Sequence, residues 1–202
     1  MGFDLDLTLA DTRAGITAAM EALALRLGVA IDPAVVVARL GPPLETELAH
    51  WLPAADVPAA ARLYREMYAG IAVPMTTLMA GAREAVDAVR ANGGRVIVVT
   101  GKNAPDARRT LDALGLRVDA VEGSVFGAEK GTALASFGAA AYVGDHVGDI
   151  AAARAGGTVS VTVATGPYTA GELRDYGADV VLADLTHFGG WFDRWRTGAA
   201  HP

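Results

Sequence analysis

Two acidic residues near the amino terminus constrain this chain more than any other feature. A short apolar lead, residues 1–3, precedes the segment Asp4-Leu5-Asp6-Leu7-Thr8-Leu9-Ala10-Asp11. Side chains two positions apart in a strand point to the same face, so Asp4 and Asp6 at the end of a strand would converge on one pocket. Because carboxylates that close repel unless a cation or a proton offsets the charge, the pair predicts a magnesium site. The alternative is a turn in which they merely cap a helix.

Three further segments follow the acidic pair in a compatible order. An unbroken apolar run at 96–99 ends at Thr100-Gly101-Lys102, as expected for a buried parallel strand that delivers a hydroxyl and free N–H groups to a sheet edge. Lys130 precedes a short helical pattern. A second buried-strand pattern at 139–143 leads into Gly144-Asp145-His146-Val147-Gly148-Asp149. The carboxyl ends of parallel strands form the ligand-binding edge of such a sheet, so these groups are expected to meet.

Together these segments resemble the haloacid dehalogenase superfamily of phosphohydrolases. The motifs of that family are DxDxT, a Thr or Ser after a second strand, a Lys, and GDxxxD, and the match spans residues 4–149. The resemblance implies an α/β fold: a doubly wound, Rossmann-like parallel sheet with strand order 5-4-1-2-3, and an all-helical cap inserted after the first motif. Leu7 departs from the Gly that is familiar at its position in the family.

The remaining pattern divides the chain into two predicted domains. Apolar residues recur at helical spacing at Ile16, Met20, Leu23 and Leu27 and again from Val57 to Ile71, and Asp32-Pro33 is typical of a helix start. After Gly81, helical and strand patterns alternate, which is typical of a parallel sheet covered by helices. We therefore expect a core of residues 1–11 and 79–202 and a helical cap of residues 12–78.

The resemblance also assigns roles in phosphoryl transfer. Asp4 would be the nucleophile that forms an aspartyl-phosphate, and Asp6 would protonate the leaving group and then deprotonate water. Thr100, the backbone N–H of Gly101, and Lys130 would hold the phosphoryl oxygens. Lys130 could instead be a solvated surface lysine, and Lys102 competes for its role.

A magnesium ion completes the site that the resemblance implies. Its ligands would be an oxygen of Asp4, the backbone carbonyl of Asp6 and the carboxylate of Asp145, while Asp149 orients metal-bound water or Lys130. Asp149 could instead be a favourable charge at a helix N-terminus. For His146 we favour a packing or supporting role over a catalytic one.

The predicted cap supplies candidate contacts to the rest of the substrate. Gly41-Pro42-Pro43 resembles a cap loop that closes over the active site in phosphoglycolate phosphatase-like proteins, although it could be only a helix breaker. Arg13 and Arg39 are the cap cations expected to meet a second anionic group. At the other end, Phe188 to Trp195 predict a final helix packed on the sheet, with a dimer contact as the alternative.

The composition of the chain disfavours several classes of binding partner. A formal charge of -6 disfavours a nucleic-acid partner, and the absence of cysteine excludes disulfides and thiolate chemistry. Without an apolar stretch near 20 residues or a leader pattern, neither a membrane partner nor secretion is expected. We therefore expect a cytoplasmic monomer or homodimer.

The predicted function is a magnesium-dependent, phosphoglycolate phosphatase-like enzyme that hydrolyses a small phosphomonoester. Asp6 disfavours the dehalogenase branch, because a halide needs no proton to leave. A sugar-phosphate mutase and an inorganic pyrophosphatase use the same core residues and stay open, and a non-catalytic binding module is a third alternative.

Overall fold

The computed structural model describes residues 1–198, which contain a six-stranded parallel sheet. The strands in chain order are β1 (Gly2–Phe3), β2 (Ala10–Asp11), β3 (Thr77–Leu78), β4 (Ile97–Val99), β5 (Ala120–Glu122), β6 (Ala141–Gly144), β7 (Val159–Val163) and β8 (Val180–Leu182). Six of them form the sheet, in the order β5-β4-β1-β6-β7-β8. The predicted order of five strands is confirmed, and β8 extends the sheet beyond β7.

Helices cover the sheet and fill the segment between β2 and β3. They are α1 (Arg13–Leu27), α2 (Pro33–Ala38), α3 (Leu44–Leu48), α4 (Val57–Ile71), α5 (Ala82–Ala91), α6 (Ala104–Ala113), α7 (Lys130–Ser136), α8 (Val147–Gly156), α9 (Ala170–Asp175) and α10 (Phe188–Arg196). The predicted helix start at Asp32-Pro33 is confirmed, because the side chain of Asp32 accepts a hydrogen bond from the Ala34 N–H. The side chain of Asn103 caps α6 in the same way and accepts a hydrogen bond from the Asp106 N–H.

Apolar clusters cover both faces of the sheet, as a doubly wound fold requires. On one face the ring of Phe3 lies 5.6 Å from that of Phe188, and Trp191 is also buried there. On the other face a smaller cluster joins Ile97 and Leu134. The prediction that the terminal aromatic stripe packs on the sheet is therefore correct.

The helices between β2 and β3 bury an apolar cluster of their own, drawn from residues 16–73. The two chain crossings into this segment pair as antiparallel strands, with Ala10 opposite Leu78. Sequence reasoning missed this pair, because two-residue strands carry no periodic pattern. We propose that the cap comprises residues 12–78. Within residues 1–198, no helix is both long enough and apolar enough to cross a bilayer.

Candidate active site

The candidate site lies where the three central strands end. The N–H of Asp4, directly after β1, donates to the Val143 carbonyl of β6 at 2.8 Å. Thr100 follows β4 on the other side of β1, and Asp145 follows β6. Parallel register therefore delivers all three side chains to one edge, where they are almost fully buried.

Lys130 joins two of the predicted acidic residues. Its Nζ lies 2.7 Å from Asp149 Oδ1 and 3.2 Å from Asp4 Oδ1, and the residue is 1% exposed. The alternative of a solvated surface lysine is therefore wrong. Asp149 also accepts a hydrogen bond from the His146 N–H through Oδ2, so this carboxylate both caps α8 and pairs with Lys130.

Tyr142, which sequence reasoning did not single out, holds Lys130 in position. Its hydroxyl accepts a hydrogen bond from Lys130 Nζ at 2.9 Å and donates one to the Val99 carbonyl at 2.6 Å. The signal was a phenol inside an otherwise apolar strand pattern, because a buried tyrosine hydroxyl usually needs a partner.

Three carboxylates, those of Asp4, Asp145 and Asp149, place oxygen atoms within 4.8 Å of one another. If all three were ionised, they would exceed the single ammonium of Lys130 by two negative charges. Burial, together with the neighbouring carboxylates and against the opposing effect of Lys130, raises the pKa of Asp4 to about 7. Burial and the same crowding raise the pKa of Asp145 well above its ordinary value.

The donor set fits a hard divalent cation. Asp4 Oδ1 is buried and accepts no hydrogen bond from the described residues, although Lys130 lies within ion-pair distance. An unpartnered buried acceptor beside two further carboxylates is what an oxygen-liganded ion such as magnesium requires. The carboxylate of Asp6 lies outside this group; its predicted contribution is a backbone carbonyl.

The turn after Asp6 is strained, and side chains fix it. Leu7 has a φ of 58°, a left-handed conformation that costs a residue with a Cβ about 1–2 kcal/mol. This explains why glycine suits the position in the family that the motif resembles. The Leu7 N–H donates to the Ala10 carbonyl, Thr165 donates to the Leu7 carbonyl, and Thr8 donates to Asp145 Oδ1 at 2.8 Å.

Asp6 is held separately from the three-carboxylate group. Its Oδ1 accepts a hydrogen bond from the Thr12 hydroxyl at 2.6 Å and lies 3.2 Å from Lys102 Nζ. Lys102 also lies over the ring of Tyr68 from α4, 4.5 Å from its centroid. The two lysines that competed in the sequence therefore have different partners: Lys130 contacts Asp4, and Lys102 contacts Asp6.

The loop at Gly41-Pro42-Pro43 lies in close contact with the end of β4. A Cβ placed on Gly101 would lie 2.6 Å from the Gly41 carbonyl, and one placed on Gly41 would lie 2.8 Å from the His146 ring. Nδ1 of His146 accepts a hydrogen bond from the Gly148 N–H, and its ring packs against Tyr168. His146 thus caps α8 and forms the surface on which this loop rests.

A cavity lies between the loop and α4 on one side and the strand ends on the other. It is lined by Asp6, Ile16, Met20, Val36, Leu40, Gly41, Pro42, Leu44, Glu47, Tyr64, Arg65, Tyr68, Gly101, Lys102, Asn103 and Asp106. Arg13 and Arg39 are not part of this wall. Arg13 pairs with Asp11 and Arg39 pairs with Glu47, so their predicted contact with an anionic group stays a prediction.

The comparisons with known proteins agree with this geometry. The family model for haloacid dehalogenase-like hydrolases matches residues 1–154, and a second model, described as HAD-hydrolase-like, matches residues 125–188. The chain belongs to the haloacid dehalogenase-like hydrolases. No curated protein matches its sequence.

Solved structures share this fold at low sequence identity. A predicted phosphatase from Clostridium acetobutylicum superposes with a TM-score of 0.82 at 21% identity, over 96% of this chain and 97% of that one. A haloacid dehalogenase-like family hydrolase from Streptococcus pneumoniae gives 0.81 at 24%, over 95% and 96%. A predicted phosphoglycolate phosphatase from Haemophilus somnus gives 0.79 at 19%, over 95% and 96%.

Proposed function

We propose that this hydrolase is a magnesium-dependent phosphatase that acts on small phosphomonoesters through an aspartyl-phosphate on Asp4. The observation that carries the proposal is the environment of Asp4. Its buried Oδ1 lacks a hydrogen-bond donor, lies 3.2 Å from Lys130, and is grouped with two further carboxylates. An ionised oxygen with a cation on one side and two further carboxylates able to hold a metal ion suits in-line attack on phosphorus.

The first half-reaction would use Asp4 and Asp6 in sequence. An Asp4 oxygen bonds to phosphorus while the bond from phosphorus to the leaving oxygen breaks, and Asp6 gives that oxygen a proton. Lys130, fixed by Asp149 and Tyr142, neutralises charge on the phosphoryl oxygens. Thr100 and the N–H of Gly101 orient the same oxygens.

In the second half-reaction, Asp6 takes a proton from water, whose oxygen bonds to phosphorus while the bond to Asp4 breaks. The Thr12 hydroxyl and Lys102 hold Asp6 in place for both transfers. Magnesium, held by Asp4, Asp145 and the Asp6 carbonyl with Asp149 beside them, would supply positive charge to the phosphoryl group.

The name of the Haemophilus somnus protein supports a small substrate of the phosphoglycolate type. The cap loop supports it too, because Gly41 lies in close contact with Gly101 and both residues line the cavity beside the strand ends. Selectivity would reside in the cavity wall, which the cap and the end of β4 share, while the carboxylate cluster supplies the reaction.

A product assay tests this function. Purified protein is incubated with magnesium and a panel of phosphorylated metabolites that includes 2-phosphoglycolate, sugar phosphates and pyrophosphate, and both free phosphate and isomerised sugar phosphate are measured. The proposal expects magnesium-dependent phosphate release from phosphomonoesters. Isomerisation without phosphate release would indicate a mutase, and cleavage of pyrophosphate alone would indicate a pyrophosphatase. Binding without turnover of any compound would contradict an enzyme.

A further inference from the structure

The chain contains only two lysines, Lys102 and Lys130, and both lie at the candidate site. The ammonium of Lys130 pairs with Asp4 and Asp149 and donates a hydrogen bond to the Tyr142 hydroxyl. Lys102 is not part of that network, although its side chain is only 9% exposed. A buried ammonium costs several kcal/mol unless it is well paired, so its position calls for a reason.

The partners of Lys102 are few. Its Nζ lies 3.2 Å from Asp6 Oδ1 and faces the Tyr68 ring, whose quadrupole favours a cation at 4.5 Å. Asp6 is the group proposed to exchange a proton with the leaving oxygen. The ammonium of Lys102 is therefore adjacent to the point where the leaving part of a substrate begins.

Apart from Asp6, the other charged residues of the cavity wall have partners that take no part in the proposed chemistry. Arg65 pairs with Glu45 at 2.7 Å, Glu47 with Arg39 at 2.6 Å, and Asp106 with Arg109 at 2.7 Å. The rest of the wall is mainly apolar or aromatic. Lys102 thus differs from the other charged wall residues, because its counter-ion, Asp6, is also the proposed proton donor and acceptor.

We propose that Lys102 selects substrates by binding an anionic group, such as a carboxylate, carried on the leaving part close to the ester oxygen. This assignment rests on the proposed phosphatase function and names its substrate class. A substrate of this class brings Lys102 a second counter-charge, so that Asp6 can act on the leaving oxygen while the ammonium stays paired. Neutral alcohols of the same size lack that charge.

Two substrates that differ only in charge test the assignment: 2-phosphoglycolate and its neutral amide, carbamoylmethyl phosphate. The measured quantity is the ratio of their kcat/KM values. For the wild type we expect about 10- to 100-fold in favour of the carboxylate, as for a charge-assisted contact in a buried site. Lys102→Met and Lys102→Gln should bring the ratio within about 3-fold of one. Because Lys102 also holds Asp6, both variants should lower kcat for the two substrates alike, so the ratio and not the rate is the readout.

Arg109→Met is the control for the loss of a positive charge near the cavity: its guanidinium lies outside the cavity lining and is half exposed, so the ratio should stay as in the wild type. If the lysine variants lower both rates equally and keep the ratio, or if the wild type shows no preference, the assignment is wrong while phosphatase activity stands. If the wild type hydrolyses neither compound nor p-nitrophenyl phosphate, the proposed function itself fails.

A measurement on the wild type keeps the test decisive if both lysine variants fail to fold. Protein labelled with ¹⁵N-lysine contains only two side-chain ammonium groups. Glycolate, which carries the carboxylate but no phosphate, should shift the Lys102 signal, identified by its loss in Lys102→Arg, more than the Lys130 signal. A shift of Lys130 alone, or of neither signal, would overturn the assignment.

Discussion

The two sides of the candidate site treat charge in opposite ways. On the core side, Asp4, Asp145 and Asp149 face one ammonium and leave negative charge uncompensated. On the cap side, the acidic residues of the cavity are paired and most other wall residues are apolar or aromatic. The difference supports chemistry at the carboxylate cluster and selectivity along the cavity wall, to which the segment between β2 and β3 contributes most residues.

The largest expected effect comes from Asp4→Asn on the core side. The change removes the nucleophile but little volume, so phosphate release should fall by at least about 1,000-fold while the fold is retained. Steady-state phosphate assays, with circular dichroism to check folding, measure it. Activity within tenfold of the wild type would remove Asp4 from the nucleophile role.

A smaller effect, dependent on the substrate, is expected for Asp6→Asn. Protonation helps an alkoxide leave far more than a nitrophenolate, so alkyl phosphates should lose about 100-fold or more and p-nitrophenyl phosphate much less. Comparing kcat/KM for the two classes checks this. Equal losses on both would show that Asp6 does not protonate the leaving group.

Magnesium titrations should distinguish core-side variants from cap-side variants by the magnesium concentration that gives half-maximal activity. Asp145→Ala should raise the half-saturating magnesium concentration about 10- to 100-fold for every substrate, because a ligand of the ion is lost. Arg13→Ala, Arg39→Ala and Glu45→Ala should leave it unchanged and alter relative rates among substrates by about 5-fold or less, since each group is at least partly exposed. If the cap variants shift the metal requirement, the division between the two sides is wrong.

The sequence predicted the core side better than the cap side, for a physical reason. Asp4, Thr100 and Asp145 each follow an apolar strand pattern, and parallel strands deliver their ends to one edge, so spacing along the chain becomes proximity. In the cap, no comparable rule relates the spacing of residues along the chain to their proximity in the fold. Arg13 is drawn to Asp11 two residues away and Arg39 to Glu47, and neither pairing follows from helical periodicity.

Residues that depend on side-chain packing were also beyond the sequence pattern. Tyr142 lies in a strand that its apolar neighbours identify, but the hydrogen bond from Lys130 depends on how α7 packs against β6. The contact between Lys102 and Tyr68 depends on how α4 lies over the end of β4. Both lysines were candidates for one role, and only the fold separates them.

The central claim is that the three carboxylates gathered at the end of β1 and β6 are held against their own repulsion for a divalent cation. Because burial raises the pKa of Asp4 to about 7, above its value in the unfolded chain, the metal-free protein is favoured when Asp4 is protonated. The contribution of Asp4 to the free energy of unfolding of the metal-free protein should therefore be greatest below pH 4. That contribution is lost as the pH rises toward 7.

Thermal unfolding between pH 4 and pH 8, with EDTA or with magnesium, measures this claim directly. Asp4→Asn, which cannot ionise, is the matched control. We expect metal-free wild type to lose stability relative to Asp4→Asn as the pH rises, by roughly 2–4 kcal/mol, and magnesium to restore the wild type but not the variant. Parallel pH profiles for the two proteins, or equal stabilisation of both by magnesium, would contradict the account.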